Sequence, residues 1–355
     1  MISLYTDPRM IQEKDFPHEA PPHEKWRFLL NYALLAPSEY NVQPWLFQIH
    51  GKVVELYADA DRHLSVVDSD QREMVIACSA AFLNLRIALR HFGYREETYV
   101  PSALGPPPHQ LIAKIRMAEP FQCSEYDHLL FSAITRRTTN RHIFDERPIP
   151  AEILEQIEQR AAVGGCWVRS LQSDDLRTAL EELIVEGDRQ QWASPAFREE
   201  LARWVRGRDA GFSDGLPAAA RGKGSIAGTN NAFVVRTFDL WRAEAWKTRR
   251  LATGAPVLAV LGTISDTPGD WFAVGQTMER LLLYAYASGL QASFVNQPIE
   301  LPGLRQRLNS IIHSTGYPQL ILRVGYGPPA SLTPRRTLAD VLLEIQPEQE
   351  HGDFI

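Results

Sequence analysis

Two short stretches decide the architecture: HQLIAKI at residues 109–115 and PQLILRV at residues 318–324. Set one over the other, their patterns agree, and both read as apolar strands. Each follows an apolar helix that stops on a glycine. The first stripe is Met74, Ala77, Cys78, Ala81, Phe82, Leu85, Leu89 and Phe92, ending at Gly93; the second runs over 272–288 and ends at Gly289. Glycine just past the last helical residue accepts the left-handed conformation that closes a helix. A helix–glycine–strand plan met twice points to tandem duplication: two α+β units in one chain, packed as a built-in dimer.

Working outward, Trp26, Leu29, Leu30, Ala33 and Leu34 form one buried helix face ending near Ala36. Strand-like runs follow at 45–49 and 53–57. In the later half, Pro148 and Pro150 punctuate the chain before a second opening helix with Ile153, Leu154, Ile157 and Ala161 on one face. That helix leads into VGGCWVRSL, with Trp167 at a strand mouth. These features divide the chain into units 1–126 and 127–355. Residues 187–248 read as an irregular insertion rich in Trp, Arg and Gly, either a lid over a substrate or a surface excursion. Asp266, Asp270 and the DSDQRE run (68–73) suit helix N-termini, where the helix dipole favours acidic groups.

Composition narrows the partners. The 355 residues carry a formal net charge of −6, with 45% hydrophobic and 23% charged residues. That is ordinary for a soluble globular protein and does not suit nucleic acid or an anionic membrane as main partner. Cys78, Cys123 and Cys166 are scattered, so no disulfide framework and no metal-ligand spacing is legible; a reducing, cytoplasmic setting is the expectation. The N-terminal stretch lacks the apolar run of a signal peptide, and no stretch reaches about 18 uninterrupted apolar residues. His63, His91, His109, His142 and His313 show no paired spacing, and no Ser/His/Asp order is readable. No metal site is expected.

Three basic clusters fall in the second unit: Arg136-Arg137 with Arg141, Lys247 with Arg249-Arg250, and Arg335-Arg336. Arg137-x-Thr139-x-Arg141 alternates, so an extended backbone puts all three side chains on one face. Two guanidinium forks flanking a hydroxyl suit a phosphate or a polyhydroxyl chain. Neither GxGxxG nor GxxxxGK[ST] is present to explain a phosphate otherwise. In the first unit, LLAPSEYNVQPW (34–45) ends a helix on small and amide-bearing groups and sets a tryptophan at the mouth of a strand.

The series Ala36, Pro37, Ser38, Asn41, Gln43, Pro44, Trp45 resembles the A-P-S-x-x-N-x-Q-P-W signature of the nitroreductase-like flavoprotein superfamily. Arg137-x-Thr139-x-Arg141 resembles that family's R-x-S-x-[KR] segment, and Pro334–Leu338 its basic C-terminal segment. The layout, each half-motif once and on opposite repeats, is similar to the duplicated single-chain subgroup that includes the mycobacterial Acg-type proteins. The resemblance implies an α+β, nitroreductase-like fold in which two tandem repeats form an intrachain pseudo-dimer with one composite FMN site. It implies that Arg137, Thr139 and Arg141 meet the FMN phosphate and ribityl chain, with Arg335 and Arg336 closing on the phosphate. Pro37, Ser38 and Asn41 would line the flavin ring, Lys247 and Arg250 its pyrimidine edge, and Asn296-Gln297 the neighbourhood of N5. There the family has a Glu-Gly pair, whereas Pro298 here has no N–H to donate.

The implied activity is two-electron reduction of a nitro compound, quinone or related small acceptor, driven by NAD(P)H through FMN. No acid–base residue is assigned, because the flavin carries the hydride. The rival reading is an FMN-binding or flavin-sequestering protein with little turnover, its insertion closed over the ring; a third is a dehydrogenase of a biosynthetic intermediate. The fusion makes a monomer with an internal pseudo-dimer, or a weak homo-oligomer, the expected state.

Overall fold

The computed structural model describes residues 7–161, 164–171, 173–207, 211–217 and 232–344. The expected residues 1–6, the tip of the insertion at 208–210 and 218–231, and the last residues from 345 lie outside this set.

In the first unit, helix α1 (Pro22–Ala33) leads to strands β1 (Trp45–His50) and β2 (Val53–Asp59), helix α2 (Arg72–His91), and strands β3 (Tyr94–Tyr99) and β4 (His109–Pro120). Helix α3 (Glu125–Ile134) follows. The second unit has α4 (Ala151–Ala161) and β5 (Cys166–Leu171). Next come α5 (Asp174–Ala193), α6 (Pro195–Trp204), the short β6 (Val205–Arg206) and β7 (Leu216–Pro217), α7 (Ala232–Thr237) and α8 (Trp241–Thr253). It closes with β8 (Val257–Thr263), α9 (Pro268–Ala287), β9 (Gln291–Phe294), α10 (Gln297–Glu300), α11 (Pro302–Ile311) and β10 (Tyr317–Gly325).

The duplication is visible in the sheets. One has the strand order β1-β2-β4-β3, the other β5-β8-β10-β9, both antiparallel throughout. HQLIAKI lies on β4 and PQLILRV on β10, so the two stretches occupy the same place in their sheets. A register shift recurs in the matching strand pairs, β2 with β4 and β8 with β10. Local chemistry sets the matching helices. Asp68 caps α2, its carboxylate accepting from the Glu73 and Met74 N–H groups at 2.8 and 2.9 Å. Thr267 and Asp270 form a reciprocal capping box at α9. Gly93 and Gly289 follow the helices at φ +87° and +79°.

Helices α2 and α9 form the centre, and one continuous apolar core draws on both units. They meet where Gly275 faces the Ile76 carbonyl; a Cβ there would come within 2.4 Å of that oxygen. The Ser79 hydroxyl donates to the Phe272 carbonyl across the same crossing. α2 is long and apolar enough to cross a membrane by composition, but 83% of its apolar window is buried in this packing. The second unit also lends its C-terminal segment to the first sheet: the Phe47 and Leu343 N–H groups exchange bonds with Val341 and Phe47 carbonyls at 2.8 Å. Within the second unit, the Asn140 N–H donates to Ala292 at 2.9 Å, at the edge of β9.

The expectation of an irregular segment at 187–248 is corrected. Its described residues are largely helical, in α5 through α8, and the departure from the repeat spans the whole β5–β8 connection. Helices α6 and α7 bury their apolar residues in a separate small core, distant in sequence from its first-unit partners. There Trp192, Phe197, Leu201 and Leu216 meet Tyr40, Val42, Leu64 and Val67 of the first unit. Glu200 adds two bonds, accepting from the Val66 and Val67 N–H groups at 2.9 and 3.0 Å.

Candidate functional site

The loop after α1 is tightly wound. Tyr40, Asn41 and Gln43 take φ of +46°, +57° and +52°, and the Ser38 hydroxyl accepts from the Gln43 N–H at 2.9 Å. Asn tolerates the left-handed region; a tyrosine held there costs free energy, which the surrounding contacts must offset. The winding leaves the Leu35 and Ala36 carbonyls free to gather cations. Arg137 donates to the Leu35 carbonyl at 3.2 Å, and Arg335 donates to both carbonyls at 3.3 Å. Both arginines are buried, at 5% and 7% exposure. Burial, then the neighbouring charges of Arg9 and Arg137, hold the Arg335 guanidinium well below its usual pKa. Glu279 of α9, fully buried, lies 3.6 Å from Arg137 Nε, and Asp7 pairs with Arg9 at 3.7 Å. Nε and Nη1 of Arg137 and Nε of Arg335 have no hydrogen-bond partner. Buried donors without acceptors are costly, and both Glu279 oxygens lack partners too; with three arginines to two carboxylates, this anion cluster keeps a cationic excess.

Pro37 and Ser38, the next residues along the loop, line a narrow cleft of about 40 Å³ between the units. The first unit adds Glu73, Ile76 and Ala77 of α2; the second adds Thr139, Arg141, Met278, Phe294, Asn296 and Leu320. Thr139 is two residues beyond Arg137 and bridges to Ala292 at the edge of β9. The anion cluster and the cleft are therefore joined by two chain segments, one from each unit.

A larger cavity of about 190 Å³ shares Glu39, Arg141, Phe294 and Asn296 with the cleft. The insertion forms its far wall, with Asp188, Trp192, Phe197, Leu201, Lys247 and Thr248. Gly187 of α5 presses on Gln297, where a Cβ would come within 2.7 Å of the Gln297 Cβ. The Gln297 amide donates to Asp188 at 3.2 Å.

Glu39, Glu73 and Glu300 bring one carboxylate oxygen each to within 4.8 Å of one another. Three carboxyls this close, Glu73 buried and Glu39 and Glu300 half-buried, do not all ionise readily. Burial and then Glu73 raise Glu39 to about 7; burial and then the neighbouring Glu73 and Glu39 hold Glu300 well above the carboxylate range. Arg72 pairs with Glu73 at 2.9 Å. The trio holds protons near neutral pH, and Glu39 faces both the cleft and the cavity. Burial also raises Asp188, in the same cavity, to about 7.

Of the residues the sequence suggested, Pro37, Ser38, Thr139, Arg141 and Asn296 meet in the cleft, and Arg137 and Arg335 meet in the anion cluster. Lys247 and Gln297 line the outer cavity instead. Arg250 lies in a neighbouring pocket with Arg141 and Lys247, its guanidinium 4.9 Å from the Trp246 ring centre. Asn41 does not line the cleft: its amide donates to the Gly215 and Pro334 carbonyls and accepts from Arg335, because the turn aims it at the insertion and the C-terminal segment. Arg336 points away from Arg335. Its backbone and side chain bond Gln43 at 2.8 and 3.1 Å, and it lies 3.8 Å from Asp59, so it braces the mouth of β1. The Asn296 side chain accepts from the Ile321 N–H at 2.9 Å and fixes its loop on β10. Arg9 and the carboxyl trio were not legible: Glu39 sits at an unspecified position of the motif, and Glu73 read as a helix-start acid.

No family profile matches the chain. It is 28% identical to the Mycobacterium tuberculosis (strain H37Rv) protein named "Putative NAD(P)H nitroreductase Rv3131", over 336 residues that cover 91% of this chain and 92% of that one. It is 26% identical to "Putative NAD(P)H nitroreductase acg" of the same organism, over 87% of this chain and 92% of the relative. Among solved structures, one described as a putative nitroreductase from Anabaena variabilis superposes with a TM-score of 0.53 at 8% identity, covering 89% of this chain and 91% of that chain. The chain thus has the nitroreductase-like fold, present twice, and is similar along most of its length to the single-chain Acg-type proteins.

Proposed function

We propose that the chain binds one FMN between its two units and uses it for NAD(P)H-driven, two-electron reduction of a nitro compound, quinone or related small acceptor. The carrying observation is the pair of buried arginines, Arg137 and Arg335, with orphaned donors beside an interunit cleft. These residues fit the cofactor: the arginines and Arg9 would hold its phosphate, Thr139 and Arg141 would follow its ribityl chain, and Pro37 and Ser38 would flank its ring. Bound FMN supplies hydride acceptance and donation.

The chain's own residues do the rest. Small groups at Pro37, Ser38 and Ala77 allow a flat ring to approach closely. Glu39, protonated in part at neutral pH, can give a proton to an acceptor in the outer cavity. Lys247 offers that acceptor a cation. The units run from 1 to 126 and 127 to 355, with α3 and the C-terminal segment crossing between them. The α2–α9 contact inside the chain takes the place of a dimer interface, so a monomer suffices. A cytoplasmic setting fits the unpaired cysteines.

The test is the visible spectrum of the purified protein, before and after anaerobic NAD(P)H, followed by an acceptor. Flavin absorption near ~450 nm that bleaches and returns supports the reading. Bound flavin that NAD(P)H fails to reduce supports the flavin-sequestering alternative, which the well-anchored insertion favours. No flavin, even after reconstitution, overturns both.

A further inference from the structure

A second cluster lies away from the cleft, at the crossing between the units. His91 ends α2, Cys123 lies in the loop after β4, and His128 is in the first turns of α3. One ring nitrogen of each histidine and the Cys123 Sγ lie within 4.8 Å of one another, and the two Nδ1 atoms are 3.0 Å apart. We propose that His91, Cys123 and His128 form a zinc-binding site that pins α3 to the end of α2.

The donor set is one zinc takes: two imidazoles and a thiolate, with a fourth position open to water. Bonds of ~2.0–2.3 Å in a tetrahedral site place donors ~3.3–3.6 Å apart. The two imidazole nitrogens are already near that separation, and side-chain rotation at the more exposed Cys123 and His128 brings in the sulfur. His91 is held for the task. Its ring stacks on Phe131, centroids 3.5 Å apart and planes at 10°, and Phe92 meets it edge-on at 5.0 Å. Its other nitrogen, Nε2, lies 3.0 Å from the Glu13 carboxylate. A carboxylate there accepts the Nε2 proton and leaves the Nδ1 lone pair facing the site, the support that metal-bound histidines commonly have. Without metal, His128 donates its Nδ1 proton to that lone pair; when zinc binds, His128 changes tautomer and carries the proton on Nε2 instead, and the Cys123 thiol proton leaves to solvent. Sequence spacing could not reveal the set, because His91 lies on a different helix from His128 and the sheet strands β3 and β4 separate them.

The experiment is calorimetric titration of untagged, reduced, chelator-stripped full-length protein with zinc chloride, with thermal unfolding measured alongside. Wild type is expected to bind one zinc per chain and to melt at higher temperature with zinc than without, since the metal binds the folded arrangement. Cys123→Ser and His128→Ala, both at solvent-reachable positions, should each lose at least tenfold in affinity and lose the thermal shift. Glu13→Gln should keep one site but weaken it about 10- to 100-fold. Flavin content should not change in any variant, which separates this test from that of the cleft. Zinc binding of equal strength in wild type and in the Cys123→Ser, His128→Ala double variant, or no binding by folded wild type, overturns the proposal.

Discussion

The two units share a strand order, yet they differ at two connections, and those differences place the site. Between α1 and β1 the first unit has a wound loop that presents two carbonyls and the Pro37-Ser38 wall. Between α4 and β5 the described residues of the second unit are Gly164 and Gly165, at φ +63° and +82°. After its first strand the first unit turns back in a tight hairpin at Gly51; the second detours through 172–256 before β8. The detour lies over the first unit's loop. One copy of the fold therefore supplies the wall and Arg9, the other supplies Arg137, Arg335 and the cover.

The strongest way to break this comparison is at the arginines. Arg137→Ala and Arg335→Ala should each weaken FMN binding by about 1.5–3 kcal/mol, roughly 10- to 150-fold, as read by flavin titration of the apoprotein. The second unit's glycine connection predicts one FMN per chain; a stoichiometry of two would end the asymmetry argument.

Next in size are the close approaches that join and build the units. Gly275→Ala forces a methyl group against Ile76 at the α2–α9 crossing, and Gly262→Ala forces one against the Trp167 ring, where the first-unit counterpart pair is Trp45 with Ala58. Overpacking of this kind costs about 1–3 kcal/mol, measurable by urea unfolding. Because the core is continuous, the Gly275→Ala loss should appear in one cooperative transition; two separate transitions would show units that fold independently.

A smaller effect sharpens the equivalence itself. Gly93→Ala and Gly289→Ala place a Cβ on left-handed residues that have room around them, so only backbone strain is added, about 1 kcal/mol at each. Equal losses support matching helix ends, and clearly unequal ones count against it.

The finest test is pH. Glu39 titrates near 7 in the folded chain and near 4.5 when unfolded, so the folded state holds the extra proton between these values. Its contribution is present below about pH 4.5 and is lost as pH rises through about 7. Glu39→Gln should flatten that part of the stability profile. If Glu39 supplies the proton in turnover, wild-type kcat should fall above pH 7 and the variant should lose that limb. A pH profile unchanged by the substitution would remove Glu39 from the chemistry.

Much of the fold was legible in residues. The agreement of HQLIAKI with PQLILRV marked strands that do occupy matching places, and Gly93 and Gly289 marked real helix ends. Arg137, Thr139 and Arg141 were readable together because alternation is a local signal, whereas Arg335 was joined to them only through the family resemblance. Asn41 and Arg336 misled for the opposite reason: a motif fixes residue type, whereas the turn at Tyr40–Gln43 and the insertion determine where the side chains go. Within 187–248, helices α6 and α7 were missed because they bury their apolar residues against first-unit partners distant in sequence.

The sequence by itself determined the periodicities, the caps, the duplication and the cationic half of the site, since all of these depend on neighbours within a few residues or on a pattern repeated. Only the tertiary structure decided which carboxyls share protons, which arginines meet at Leu35 and Ala36, and which helices cover the cavity. Those outcomes depend on burial and on distances between groups far apart in the chain, and the low dielectric of a packed interior makes such distances matter.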